Sequence, residues 1–289
     1  MIQIKYIFTL FAIALLLSAC ETTIDYDLPQ EPSKITIDTK LLVDDTPIVH
    51  VFTSVSALSR QDPSEAVGAE VMLYENGVFV SELPMGQSPY GQPIYTSNYP
   101  IKANQVYKVQ VALPNYTTAF GEGLAKEAIP ITNVVFDSIS HDLAFTFQDP
   151  PTKEDYYLIT ARAITNDYSI YYSTNDVVID FFEDNSFDDP FGGSGEKFGE
   201  KGYMSDQYFN GKTKTVRITI EEDLVYFPEG RFYIELWRIS EDLYNHQRTK
   251  AIAWTSENPF SEPVQIHSNI ENGYGIVGTA AVSREQFYP

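Results

Sequence analysis

Apolar and polar residues alternate with period two through most of this chain, the pattern of half-buried β-strands. Ile35, Ile37, Thr39 and Leu41 face one way across Thr36, Asp38 and Lys40, and residues 48–54 predict a second strand. Residues 69–75 and 78–83 flank Asn76-Gly77, a dipeptide that accepts the positive φ angles of a type I′ hairpin turn. Tyr107, Val109 and Val111 alternate with Lys108 and Gln110, and residues 116–120 predict a final strand of this region. Several short strands separated by turn signals predict an immunoglobulin-like β-sandwich over 34–122. No cysteine pair or core tryptophan marks a true immunoglobulin domain there.

Residues 121–130 read as a linker, after which a second β-rich domain spans 130–289. Leu143, Phe145 and Phe147 face one way across Ala144 and Thr146. A turn at Asp149-Pro150-Pro151-Thr152 leads into a strand over 156–163, and another Asn-Gly, Asn210-Gly211, precedes a strand over 215–220. Residues 231–239 (RFYIELWRI) are apolar on both faces, which predicts a central strand. One helix follows near 240–255. Ser240 is a favourable N-cap, Glu241 and Asp242 complement the helix dipole, and Leu243, Gln247, Ala251 and Trp254 fall on one stripe. Asn258-Pro259 ends it. The expected fold class is therefore mainly β: an N-terminal sandwich followed by a β-rich domain with one packed α-helix.

Composition narrows the function. The chain of 289 residues carries 19 Lys+Arg against 40 Asp+Glu, a formal net charge of −21. Nucleic acid and anionic lipid headgroups are bound by basic surfaces, so both partners are disfavoured. The single cysteine excludes an intrachain disulfide and any multi-cysteine metal site. Its position, Cys20, is informative. Lys5 gives a basic n-region, residues 7–17 form an uncharged apolar run, and Leu17-Ser18-Ala19-Cys20 resembles a bacterial lipobox. That resemblance implies a signal peptide over 1–19, cleavage before Cys20 and acylation of Cys20. The run is too short to span a bilayer, but several acyl chains give stable anchoring. Residues 20–33 read as a lipidated tether. The acidic residues after Cys20 loosely match the surface-export signal of Bacteroidota lipoproteins. The expected location is the outer membrane, with the outer face as the preferred side.

Candidate chemistry is sparse. His50, His141, His246 and His267 show no ligand-like spacing. Gly192-Gly193-Ser194-Gly195 is followed by Glu196, so it fails as a nucleophile elbow and reads as flexible loop. The acidic run containing Asp180, Asp184 and Asp188 offers hard oxygen ligands, but its spacing does not match a calcium-binding EF-hand loop. A solvated acidic loop is the preferred reading, with calcium as the alternative. Phe181, Phe182, Phe187 and Phe191 interleave with those acids, and Tyr203 lies in the same tyrosine-rich half. Such aromatics either pack against their own domain or anchor a partner protein. No cofactor is expected, and no nucleophile–base pair is legible.

The C-terminal third carries a resemblance. Leu236-Trp237-Arg238-Ile239-Ser240 leads into the helix, and Asn258-Pro259-Phe260-Ser261-Glu262-Pro263 and Ser268-Asn269-Ile270-Glu271-Asn272-Gly273-Tyr274-Gly275-Ile276-Val277-Gly278 follow. Together with the lipobox and Asn210-Gly211-Lys212, this resembles the Bacteroidota outer-membrane lipoproteins grouped as domain of unknown function 4249. The resemblance covers nearly the whole mature chain. It carries no enzymatic residues over. It implies an outer-membrane lipoprotein of the kind often encoded beside TonB-dependent transporters. The leading expectation is a non-enzymatic accessory subunit of such a β-barrel, contacting it through aromatic loops of residues 165–210. The alternative is a stand-alone surface module binding a glycan or peptide. The block has its own physical reading: Asn272, Gly273 and Gly275 permit tight backbone turns, and Ser268-Asn269 cap backbone groups, locking the last strand onto the helix.

Overall fold

The alternation seen in the sequence is converted into twenty strands and one helix among the described residues. The structure, a computed structural model, describes residues 32–56, 62–151, 154–164, 168–182, 197–221, 231–255 and 264–288. In chain order the elements are β1 (Ile35–Leu42), β2 (Ile48–Thr53), β3 (Ser64–Glu65), β4 (Glu70–Glu75), β5 (Val78–Glu82), β6 (Met85–Gln87), β7 (Pro93–Thr96), β8 (Gln105–Ala112), β9 (Ala119–Ala125), β10 (Thr132–Asp137), β11 (Asp142–Gln148), β12 (Tyr156–Ala163), β13 (Tyr168–Ile170), β14 (Tyr172–Thr174), β15 (Asp180–Phe181), β16 (Lys197–Gly199), β17 (Lys201–Ser205), β18 (Thr213–Ile220), β19 (Phe232–Ile239), α1 (Glu241–Thr255) and β20 (Gly273–Phe287). Cys20, Asp184, Phe187, Asp188, Phe191 and Asn258-Pro259 lie outside the described residues.

One long sheet organises the molecule. Its order is β15-β17-β12-β19-β20-β1-β2-β7-β6, with β13 added to β12 and β3 to β2. Two smaller sheets, β5-β4-β8-β9 and β10-β11-β18-β14-β16, complete a mainly β, sandwich-like arrangement. One core joins β1 and β2 to the four-stranded sheet through Ile35, Ile37, Val49, Val71, Tyr107 and Val109. A second joins β12 and β19 to the five-stranded sheet through Phe145, Phe147, Tyr157, Ile159, Val216 and Ile234. The first core draws mostly on residues up to Ala125, with Ile270 and Val277 added, and the second on residues from Ile129 onward, but residues Ser33–Pro289 form one compact unit. What joins them is β20: it pairs antiparallel with β19 and parallel with β1, Ile35 to Leu42 running beside Gly273 to Ala280.

The residues read as a linker, 121–130, are corrected by the structure: 119–125 are strand β9. The glycines that suggested a loop are demanded by packing instead. A Cβ on Gly121 would meet Ile270 Cδ1 at 2.6 Å, and one on Gly123 would meet the Val277 carbonyl oxygen at 3.2 Å. The four-stranded sheet closes onto β20 there.

Strand β19 is central, as its two-sided apolar pattern predicts: seven of its eight residues are buried, and it lies between β12 and β20. The Asn76-Gly77 turn takes φ values of 51° and 79°. Helix α1 starts as expected, with Ser240 Oγ accepting from the Leu243 N–H. Its packing stripe is shorter than expected. Leu243 is buried against β20, whereas Trp254 is 75% exposed, because only the first turns of the helix lie over the sheet.

Candidate functional site

Three strand ends bring three aspartates together. Asp149 follows β11, Asp155 precedes β12, and Asp206 follows β17. The β12–β17 pairing sets Tyr156 opposite Ser205, so the next residue on each strand continues the ladder: Asp206 N–H donates to the Asp155 carbonyl at 3.0 Å. The Asp206 carbonyl then closes the following turn, accepting from the Phe209 and Asn210 N–H groups, each at 2.8 Å. Gly211, with φ of +74°, points its N–H at Asp149 Oδ2 at 2.7 Å. The Tyr157 hydroxyl donates to Asp149 Oδ1. One carboxylate oxygen from each aspartate lies within 4.8 Å of the other two, and all three residues are fully buried. Tyr157 in turn packs with Phe147 and Phe209, the three ring centroids 5.0–6.2 Å apart.

The three carboxylates have different partners. Arg238 grips Asp155 with Nε to Oδ1 at 3.1 Å and Nη2 to Oδ2 at 2.7 Å, and Lys126 adds an ion pair. Burial pushes the Asp155 carboxyl up, but the hydrogen bonds and charge of Arg238 and Lys126 outweigh it and hold the group below the usual value. Burial also pushes the Tyr157 hydroxyl up, keeping it a donor to Asp149. Asp206 differs: among the described residues, neither of its buried side-chain oxygens has a hydrogen-bond partner. Burial pushes its carboxyl up against the opposing effect of the Asp155 backbone N–H, and the charges of Asp149, Asp155 and Glu154 add to the rise.

Lys126 and Arg238 also line an open cleft of about 480 Å³, together with Gly123, Leu124, Ser240 and Asp242. Among the described residues lining it, Ser240 is the only one with a hydroxyl, and its Oγ accepts from the Leu243 and Thr279 N–H groups. Asn269 ties this region together. Its side chain accepts from Val277 N–H at 2.9 Å and donates to the Val277 and Glu122 carbonyls at 3.0 Å each. It also reaches Asp242 on α1, which pairs with His267 Nε2 at 2.7 Å. The Ser268-Asn269 segment therefore locks β20 to both β9 and α1.

The residues singled out in sequence are placed differently. Phe181 is 3% exposed and belongs to the second core, its ring 5.3 Å from Tyr172. Tyr203 is 2% exposed, stacks on half-buried Phe182 at 4.6 Å, and packs edge-on against Tyr244 of α1. Phe181 and Tyr203 are thus corrected from partner anchors to internal packing, Phe181 within the second core and Tyr203 beneath Phe182 and α1. Asp180 is exposed and paired with Lys197, whose ammonium stands where a metal ion would have to bind. Asp149, Asp155 and Asp206 carried no motif. Their available signals were the Asp149-Pro150-Pro151 turn and the Asn210-Gly211 dipeptide.

The model of one family, domain of unknown function (DUF4249), matches residues 21–286 of the chain. No curated protein matches it.

Proposed function

We propose that this chain, which belongs to the DUF4249 family, is a lipid-anchored, non-enzymatic accessory subunit of an outer-membrane β-barrel, of the TonB-dependent transporter kind. The observation that carries the reading is Leu17-Ser18-Ala19-Cys20, in which the only cysteine of the chain stands at the acylation position of a lipobox. Acylation there tethers the folded unit, which starts at Ser33, through a short segment. A net charge of −21 keeps the fold off anionic headgroups, so the acyl chains supply the membrane attachment.

The site geometry supports a non-enzymatic role. The cleft's hydroxyl is engaged with two backbone N–H groups, and its cationic residues Lys126 and Arg238 are engaged with Asp155. These groups hold strand ends in place. Contact with the barrel falls to exposed side chains; among the described aromatics of 165–210 these are Tyr168, Phe198 and Tyr208.

The test is to tag the native protein, solubilise outer membranes in mild detergent and identify what co-purifies by mass spectrometry. A stoichiometric β-barrel is expected. Recovery of the protein alone refutes the accessory role and favours an independent glycan- or peptide-binding module. Cys20→Ala is expected to move the protein from the membrane to the soluble fraction, and unchanged membrane fractionation would refute the anchor.

A further inference from the structure

Among the described residues, the buried aspartate cluster meets fewer donors and counter-charges than its three carboxylates call for. Asp149, Asp155 and Asp206 bring three carboxylates, while the basic groups the structure places on them, Lys126 and Arg238, both bind Asp155. Asp149 is satisfied by neutral donors, the Tyr157 hydroxyl and the Gly211 N–H. Asp206 is 0% exposed, and neither side-chain oxygen has a hydrogen-bond partner among the described residues. A buried carboxylate without a hydrogen bond or counter-charge is strongly disfavoured, and each such group in a native fold calls for an occupant.

A proton, a water or a cation can stand beside such a carboxylate, and a water donates hydrogen bonds without supplying counter-charge. A proton shared between two carboxyls brings their oxygens to roughly 2.5–2.7 Å. A proton on Asp206 would neutralise one carboxyl, but its second oxygen would still meet no donor among the described residues. A cation fits the spacing. Oxygens bound at about 2.3–2.6 Å lie at most about 4.6–5.2 Å apart across one ion, and the three carboxylate oxygens lie within 4.8 Å of one another. All three candidate ligands are oxygens. That suits a hard cation, whereas zinc sites favour nitrogen and sulfur.

We propose that Asp149, Asp155 and Asp206 form a buried structural site for a hard divalent cation of the calcium class, with Asp206 as its principal ligand. The ion bridges the ends of β11, β12 and β17. It joins the long sheet to the five-stranded sheet at the point where the Asp206–Gly211 turn meets Asp149. This site is distinct from the acidic run at 180–189.

The experiment uses the purified full chain and calcium itself. Thermal unfolding is followed in EDTA and with calcium in about hundredfold excess over its Kd, where ligand linkage predicts a rise in Tm of roughly 5–10 °C for a chain of this size. Asp206→Asn keeps the shape and removes the charge, and it is expected to abolish the calcium-dependent rise. Terbium, which replaces calcium and emits when a neighbouring tyrosine is excited, gives a second readout that needs no folded variant of Asp206. Bound terbium is expected to be sensitised by Tyr157, displaced by calcium, and dimmed by Tyr157→Phe. No calcium-dependent rise together with no terbium signal would overturn the proposal. So would a rise that persists in Asp206→Asn, or terbium emission unaffected by Tyr157→Phe, either of which places the ion elsewhere.

Discussion

Replacing Gly275 by alanine probes the junction on which the long sheet depends. Gly275 sits opposite Ile37 in the parallel β1–β20 pairing, with φ of +102°, and a Cβ there would lie 2.0 Å from the Ile37 carbonyl oxygen. Two costs add. An L-residue at positive φ costs about 1–2 kcal/mol. Displacing β1 from β20 to relieve the clash adds about 1–3 kcal/mol, as for other overpacked cores. Gly77 separates the terms, because it has φ of +79° but nothing within 4 Å of where a Cβ would stand. Alanine restricts the unfolded chain at both sites alike, so that effect cancels in the comparison. Gly77→Ala should therefore cost about 1–2 kcal/mol and Gly275→Ala about 2–5 kcal/mol, or roughly 2–8 °C against 4–20 °C in Tm for a chain of this size. Urea and thermal unfolding of the purified variants measure both. Equal losses at the two sites would refute the reasoning, because the close approach of β1 to β20 would then not be what demands glycine.

Three further outcomes follow from named contacts. Leu243→Ala should lose about 2–5 kcal/mol by opening a cavity against β20, whereas Trp254→Ala, at an exposed position, should stay within about 0.5 kcal/mol; comparable losses in urea unfolding would mean that the whole helix stripe packs. Phe181→Ala should lose about 3–5 kcal/mol, because its ring lies in the second core; a neutral result would return Phe181 to the surface. The Tyr99 hydroxyl, with those of Tyr107 and the Lys102 amine, holds the Glu75 carboxyl below its usual value of 4.5. A depressed folded-state value gives stability that is complete above the unfolded value and lost as pH falls through the folded one. Glu75→Gln should then flatten the loss of stability below about pH 4.5, and an unchanged acid limb in a pH series of melts would contradict the assignment.

Period-two alternation carries the strands because each needs only its own residues to declare two faces. Leu143, Phe145 and Phe147 are all buried, and 156–163 is β12 without a shift at either end. The two-sided apolar character of 232–239 located β19 inside its sheet for the same reason. Pairing partners are not local. That β1 lies parallel to β20, more than two hundred residues away in the chain, follows from neither strand alone, and it is what fuses the expected halves into one unit. Gly121 and Gly123 misled because glycine marks both loops and close backbone approaches, and only the position of Ile270 and Val277 distinguishes the two.

The candidate site was hidden for a related reason. Aromatics among acids at 180–191 drew attention because they are contiguous, yet Phe181 lies within the second core and Asp180 meets Lys197. Asp149, Asp155 and Asp206 are each unremarkable in their own segment: an aspartate before two prolines, one before a strand, one after a strand. Only the strand ladder puts Asp206 beside Asp155, and only the turn at Gly211 brings Asp149 to both. A sequence reader could have asked why an aspartate stands at the end of each of three strands rich in buried aromatics, since a charge next to a core requires a partner. For two of the three aspartates the partner is visible, in Arg238, Lys126, Tyr157 and Gly211. For Asp206, the described residues supply the burial but no side-chain hydrogen bond, and that asymmetry makes it the residue whose substitution is most informative.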